Sequence, residues 1–188
     1  MRKSARVIVS TLIQWKRTHL ILMMKLPGDY VAGFIDGEGC FTIVISKHKT
    51  KKLGLDARLH FQIEVRADDR KIIEDIQETL DCGRIYYLSY ERYGWHPHVE
   101  LKVSSLVEIR GKLIPFLKKY PLRAKKRYSY EFFLEAVEVF VQKEHLTLAG
   151  IEKLKVIRQK MNRYSKKDQA SARVRENRVP GRERSFGA

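Results

Sequence analysis

VAGFIDGEG, running from Val31 to Gly39, is the stretch whose reading decides the fold. Its first half is small and apolar (Val31, Ala32, Gly33, Phe34, Ile35), and its second half is acidic and flexible (Asp36, Gly37, Glu38, Gly39). A hydrophobic run, Cys40 to Ile45, follows at once. The pattern predicts a short packed helix that ends in carboxylates and feeds a strand, with Asp29 placed to cap its start. Glycine costs a helix about 1 kcal/mol relative to alanine, so Gly33, Gly37 and Gly39 serve another end. Gly33 beside Ala32 lets a second backbone approach closely. Gly37 and Gly39 let the chain turn out of the helix, because glycine tolerates positive φ.

Beyond the helix the period changes to two. Phe41, Ile43 and Ile45 alternate with Thr42, Val44, Ser46 and His48, which predicts a half-buried strand. A basic loop follows with Lys47, Lys49, Lys51 and Lys52. From Arg58 to Arg66 a second strand sets Leu59, Phe61, Ile63 and Val65 on one face and Arg58, His60, Gln62, Glu64 and Arg66 on the other. The polar face reads either as a solvated sheet surface or as a reader of base edges, since these side chains carry the donors and acceptors that distinguish base pairs. Asp68 or Asp69 caps a helix to about Asp81, with Ile72, Ile73, Ile76 and Leu80 inward and Gly83 beyond its end.

A second hairpin repeats the pattern. Arg84 and Tyr86 alternate with Ile85 and Tyr87, and His98, Glu100 and Lys102 alternate with Val99, Leu101 and Val103. Ser105 and Glu108 form a capping box opening a helix that Pro115 disturbs and Pro121 ends. Helix, hairpin, helix, hairpin, helix is a weak internal repeat. It predicts an α+β domain of αββαββα order, with a four-stranded antiparallel sheet whose apolar face is covered by helices and whose polar face is open. A two-stranded ribbon fits the DNA major groove. Two extra C-terminal helices are expected, over about 123–142 and from a Thr147 cap to about Met161.

The chain has 188 residues, 44% of them hydrophobic, and a formal net charge of +16. That length suits one domain with a real core, and that charge favours a polyanionic partner. Residues 1–24 read as a basic extension: an organellar leader, an arm, or sequence upstream of a start at Met23 or Met24. Residues 25–164 read as the folded domain. From Ser165 the chain is polar, basic and without period, and is expected to be a disordered tail adding phosphate affinity. Cys40 and Cys82 lack a second Cys or His at ligand spacing, so neither a disulfide nor a zinc site is expected. His96 and His98 around Pro97 read as a turn. No apolar run approaches the length of a membrane span, and an intracellular setting is expected, a prokaryotic cytoplasm or an organelle.

VAGFIDGEG resembles the nine-residue motif of the LAGLIDADG homing endonucleases. Ala32, Gly33, Ile35, Asp36 and Gly39 match its letters, with Phe34 and Glu38 as conservative replacements. PFLKKYPLRAKKR (Pro115 to Arg127) and KEHLTLAGIEKL (Lys143 to Leu154) resemble later blocks of the family, so the likeness spans about Leu26 to Asn162. The resemblance implies a metal-dependent DNA endonuclease of the single-motif, homodimeric type. Glu38 is the implied metal ligand, assisted by the Gly39 carbonyl, and Asp36 an acid of mainly structural role. Mg²⁺ or Mn²⁺ would support cleavage and Ca²⁺ binding alone. Lys125, with Lys126 as its neighbour, matches a catalytic lysine after the YPL segment. Gln62 matches a base-reading glutamine. A polar position that helps place water in some relatives falls near Val65, whose side chain cannot do so.

On this reading the DNA contacts are Thr42, Val44, Ser46, His48, Lys49, Lys51, Arg58, His60, Gln62, Glu64, Arg66, Arg84, Tyr86, His98, Glu100 and Lys102. The helices of two copies pack through Ala32, Gly33, Asp36 and Gly37, and two-fold symmetry predicts a palindromic or near-palindromic target. The rival reading is a non-cleaving binder on the same scaffold, either a maturase holding intron RNA or a transcription regulator. A basic ribosome-associated protein ranks last, since it leaves the glycine-acid motif without a role.

Overall fold

The computed structural model describes residues 25–90, 92 and 94–176. The expectations for residues 1–24 lie outside them. The motif forms α1 (Gly28–Glu38), which passes without a loop into β1 (Gly39–Lys47). Asp29 does not cap α1. Pro27 holds that position and Asp29 lies in the first turn, where a carboxylate still complements the helix dipole. Nor does the exit need positive φ, since Gly39 is extended at φ −65. Its requirement is steric: a Cβ there would lie 2.6 Å from the Ile35 carbonyl oxygen.

β2 (Leu55–Arg66) returns antiparallel to β1. A tight turn over Ala67–Asp69 leads to α2 (Arg70–Leu80). Neither Asp68 nor Asp69 caps α2 through its side chain. It ends on Asp81, at φ 53, whose carbonyl and carboxylate both accept from Lys112 Nζ. β3 (Arg84–Leu88) and β4 (His98–Val103) form the second hairpin. Ser105 caps α3 (Leu106–Glu108) by accepting from the Glu108 amide, as the capping box predicts. The helix then widens through a π turn, Ile109–Leu113, and resumes as α4 (Ile114–Lys119). Pro115 falls at the start of the resumed α-helix, directly after the wider turn. α5 is Lys126–Val141 and α6 is Leu148–Glu176, with Thr147 Oγ1 accepting from Gly150 N at 3.0 Å. α6 passes Ser165 and ends at Glu176, and residues 177–188 of the expected tail lie outside the described residues. Lysine, glutamine, alanine and arginine sustain a helix without an apolar period.

The four strands make one sheet in the order β1-β2-β4-β3, all neighbours antiparallel. Phe41, Ile43, Leu59, Phe61, Ile63, Val99, Leu101 and Val103 are buried under the helices. Phe41 anchors this layer, with its ring centroid 5.1 Å from Phe61, 5.3 Å from Tyr130 and 5.2 Å from Phe133. Val65 lies on this covered side, paired with Val99.

Candidate active site and nucleic-acid interface

Glu38 is the last residue of α1 and is exposed. Among the described residues no hydrogen bond or ion pair occupies its carboxylate. Asp36, one half-turn earlier, points the other way. Its Oδ2 accepts from the amides of Arg123 at 2.7 Å and Ala124 at 3.1 Å, while its Oδ1 is buried without a partner. Those two amides precede Lys125, which stands exposed at the N-terminal boundary of α5. Asp36 therefore ties the lysine-bearing turn to the helix that ends in Glu38. Within the chain it is a tether between the two candidate catalytic residues.

The stripe of α1 left open also differs from the expected one. Ala32 is 5% exposed, covered by its own chain. Gly33 and Gly37 are exposed, and a Cβ at either would meet nothing within 4 Å. With Tyr30, 49% exposed, and half-buried Phe34, they recur at the spacing of one helix face. Ala32 and Asp36 turn inward, whereas Gly33 and Gly37 share an uncovered face with Tyr30 and Phe34.

The strand register collects the expected polar residues on one side of the sheet. Cys40, Gln62, Lys102 and Arg84 form a row across it, and Glu64, Glu100 and Tyr86 form the next. Thr42 opposes His60, Val44 opposes Arg58, and Arg66 opposes His98. Cys40, Asp56 and Leu88 share this face and escaped the sequence reading. Extending the alternation by two residues from Thr42, Arg58 and Tyr86 would have found them. His48, Lys49 and Lys51 lie in the loop at the end of the first hairpin, where the His48 amide donates to the Gly54 carbonyl at 2.9 Å. Asp56 is bonded by Arg58 at 2.7 Å and lies 3.8 Å from Lys51. The Arg58 hydrogen bond holds its carboxyl below the usual range. Burial, then Lys102 and Arg58, holds His60 below its ordinary 6.5. The face is thus predominantly basic, with its acids engaged.

Glu38 fits a hard divalent cation by its chemistry: it offers exposed carboxylate oxygens beside the Gly39 peptide. Among the described residues no group of three or more His, Cys, Asp or Glu side chains could hold a metal. A bound metal would polarise a phosphoryl oxygen and activate water.

The family model described as LAGLIDADG endonuclease matches residues 31–137, and the chain belongs to that family. Probable intron-encoded endonuclease 3 of Neurospora crassa is 32% identical over 131 residues, which cover 70% of this chain and 24% of that protein. DNA endonuclease I-CeuI of Chlamydomonas moewusii is 26% identical over 112 residues, 56% of this chain and 50% of that protein. Among solved structures, the I-LtrWI LAGLIDADG homing endonuclease bound to target DNA is 35% identical with a TM-score of 0.66, over 72% of this chain and 44% of that one. I-SmaMI, bound to an uncleaved DNA target in the presence of calcium ions, is 29% identical with a TM-score of 0.65, over 72% of this chain and 45% of that one. The chain thus spans from about a quarter to a half of these relatives' lengths.

Proposed function

We propose that this chain is a site-specific, divalent-metal-dependent DNA endonuclease of the homing type. Its polar sheet face reads the major groove and its Glu38 is a metal ligand. The observation that carries this reading is a carboxylate, exposed and unengaged among the described residues, at the junction of α1 with the first strand of a predominantly basic sheet face. Lys125, fastened to the same helix by Asp36, is suited to stabilise charge at the scissile phosphate. The DNA-bound relatives support the substrate, and the calcium in the I-SmaMI complex supports a divalent ion.

One Glu38 serves one strand, so a double-strand cut needs a second motif helix. We propose that a second copy of the chain supplies it, seated on the Tyr30, Gly33, Phe34 and Gly37 stripe, which has the small residues a close helix crossing requires. A palindromic or near-palindromic target follows from the two-fold axis.

The deciding experiment is cleavage selection from a randomised palindromic duplex library, in Mg²⁺ and in EDTA, beside Glu38→Gln. Metal-dependent cuts at one enriched sequence, at least 100-fold weaker in the variant by the usual scale of losing a charged group at the reacting centre, are expected. Binding without cutting in every metal would favour the maturase or regulator instead.

A further inference from the structure

Tyr90, two residues beyond β3, reaches one corner of the polar face. The Tyr90 hydroxyl donates to Glu64 Oε1 of β2 at 3.0 Å, joining residues 26 apart in sequence. The Tyr90 ring is held in turn by edge-to-face packing, its centroid 5.1 Å from that of His98 and 6.1 Å from that of Trp95. The loop between β3 and β4 is pinned at its far end by the Ala67 amide donating to the Pro97 carbonyl at 2.9 Å. Glu64 is therefore a preorganised acceptor and not a free surface acid. Directly opposite it lies Glu100, 8% exposed, with Lys102 Nζ 3.6 Å from its carboxylate.

Around this pair Lys102 faces Glu100 and Arg66 is taken up by Asp68 at 2.8 Å, so the corner lacks the basic excess of a chain of net +16. A corner holding two carboxylates whose basic neighbours are already paired is a poor seat for a phosphate. A carboxylate also only accepts hydrogen bonds, so it needs a donor. In the major groove guanine and thymine present acceptors, adenine presents its amino group beside the N7 acceptor, and cytosine presents an amino group with no acceptor of its own. The second carboxylate, Glu100, penalises N7 and leaves cytosine.

We infer that Glu64, held by the Tyr90 hydroxyl, is a specificity-determining residue that accepts from the exocyclic amino group of a cytosine in the target, with Tyr90 as its positioning residue. This rests on the DNA-recognition reading above and names one of its contacts. The test is a binding selection with the full chain in calcium, on duplexes randomised through the site, for the wild type, Glu64→Gln and Tyr90→Phe. The wild type enriches cytosine at a position where Glu64→Gln turns the preference to adenine, whose N6 and N7 a glutamine pairs. That switch is about ten-fold at that position. Tyr90→Phe keeps its rings and melting temperature but weakens the cytosine preference at that position and nowhere else. An unchanged profile in Glu64→Gln overturns the inference while leaving the DNA reading intact. Uniform weakening at all positions in Tyr90→Phe overturns the role of Tyr90. No enriched sequence for any of the three proteins sinks the DNA-recognition reading itself.

Discussion

Asp36 and Glu38 are separated by one glycine and do opposite work. Asp36 spends an oxygen on the Arg123 and Ala124 amides, while Glu38 stands exposed. Asp36→Ala should orphan two amides and free the turn that carries Lys125. A loss of about 1 kcal/mol is expected, the net worth of hydrogen bonds whose exposed donors water can partly satisfy, measured as a lower midpoint in urea. Under the proposed function it should also slow cleavage far more than it weakens DNA binding, because it displaces Lys125 and leaves the sheet intact. A stability unchanged within error would remove Asp36 as the tether. The two thiols differ in the same way. Cys82 is buried and its pKa is pushed up to about 12, chiefly by burial, whereas Cys40 is exposed on the polar face.

At the scale of elements, α1 separates folding from association. Gly39→Ala should destabilise the fold by about 1–3 kcal/mol, since its Cβ would press on the Ile35 backbone. Gly33→Leu meets open space within the chain and replaces a glycine in a helix, so the melting temperature should hold or rise. If the Gly33 stripe seats a second helix, the same leucine should abolish dimerisation and double-strand cutting together, read by sedimentation and by plasmid linearisation. A dimer that survives Gly33→Leu would place the pairing surface elsewhere.

For the whole molecule, pH supplies a test with a definite sign. Burial holds both His60 and His145 below 6.5. Between the folded values and 6.5 the unfolded chain binds protons that the folded chain refuses, so stability is full above about 6.5 and is lost as pH falls through it. Asp56, held below its ordinary 3.8 by Arg58, extends the loss into acid. The melting temperature should drop between pH 7.5 and pH 5.5, and His60→Gln should flatten part of that slope. An equal or higher melting temperature at pH 5.5 would contradict the burial of these imidazoles.

Local pattern was enough for the architecture, because helix and strand periods are properties of neighbouring residues. Alternation alone assigned Thr42, Arg58, His60, Gln62, Glu64, Arg66, Glu100 and Lys102 to one face, and the strand register then set them side by side. Glu38 was singled out through the resemblance of VAGFIDGEG to the LAGLIDADG motif, since by itself it reads as a surface acid at a helix end. The inward turn of Ala32, the Asp36 bonds to residues 87 and 88 positions away, and the Tyr90 hydroxyl on Glu64 were not legible. Each depends on packing between segments whose separation carries no periodic signal. Periodicity determined which residues face which way. Only the tertiary structure decided which of them meet, because a hydrogen bond across tens of residues is set by the docking of whole elements and leaves no local trace.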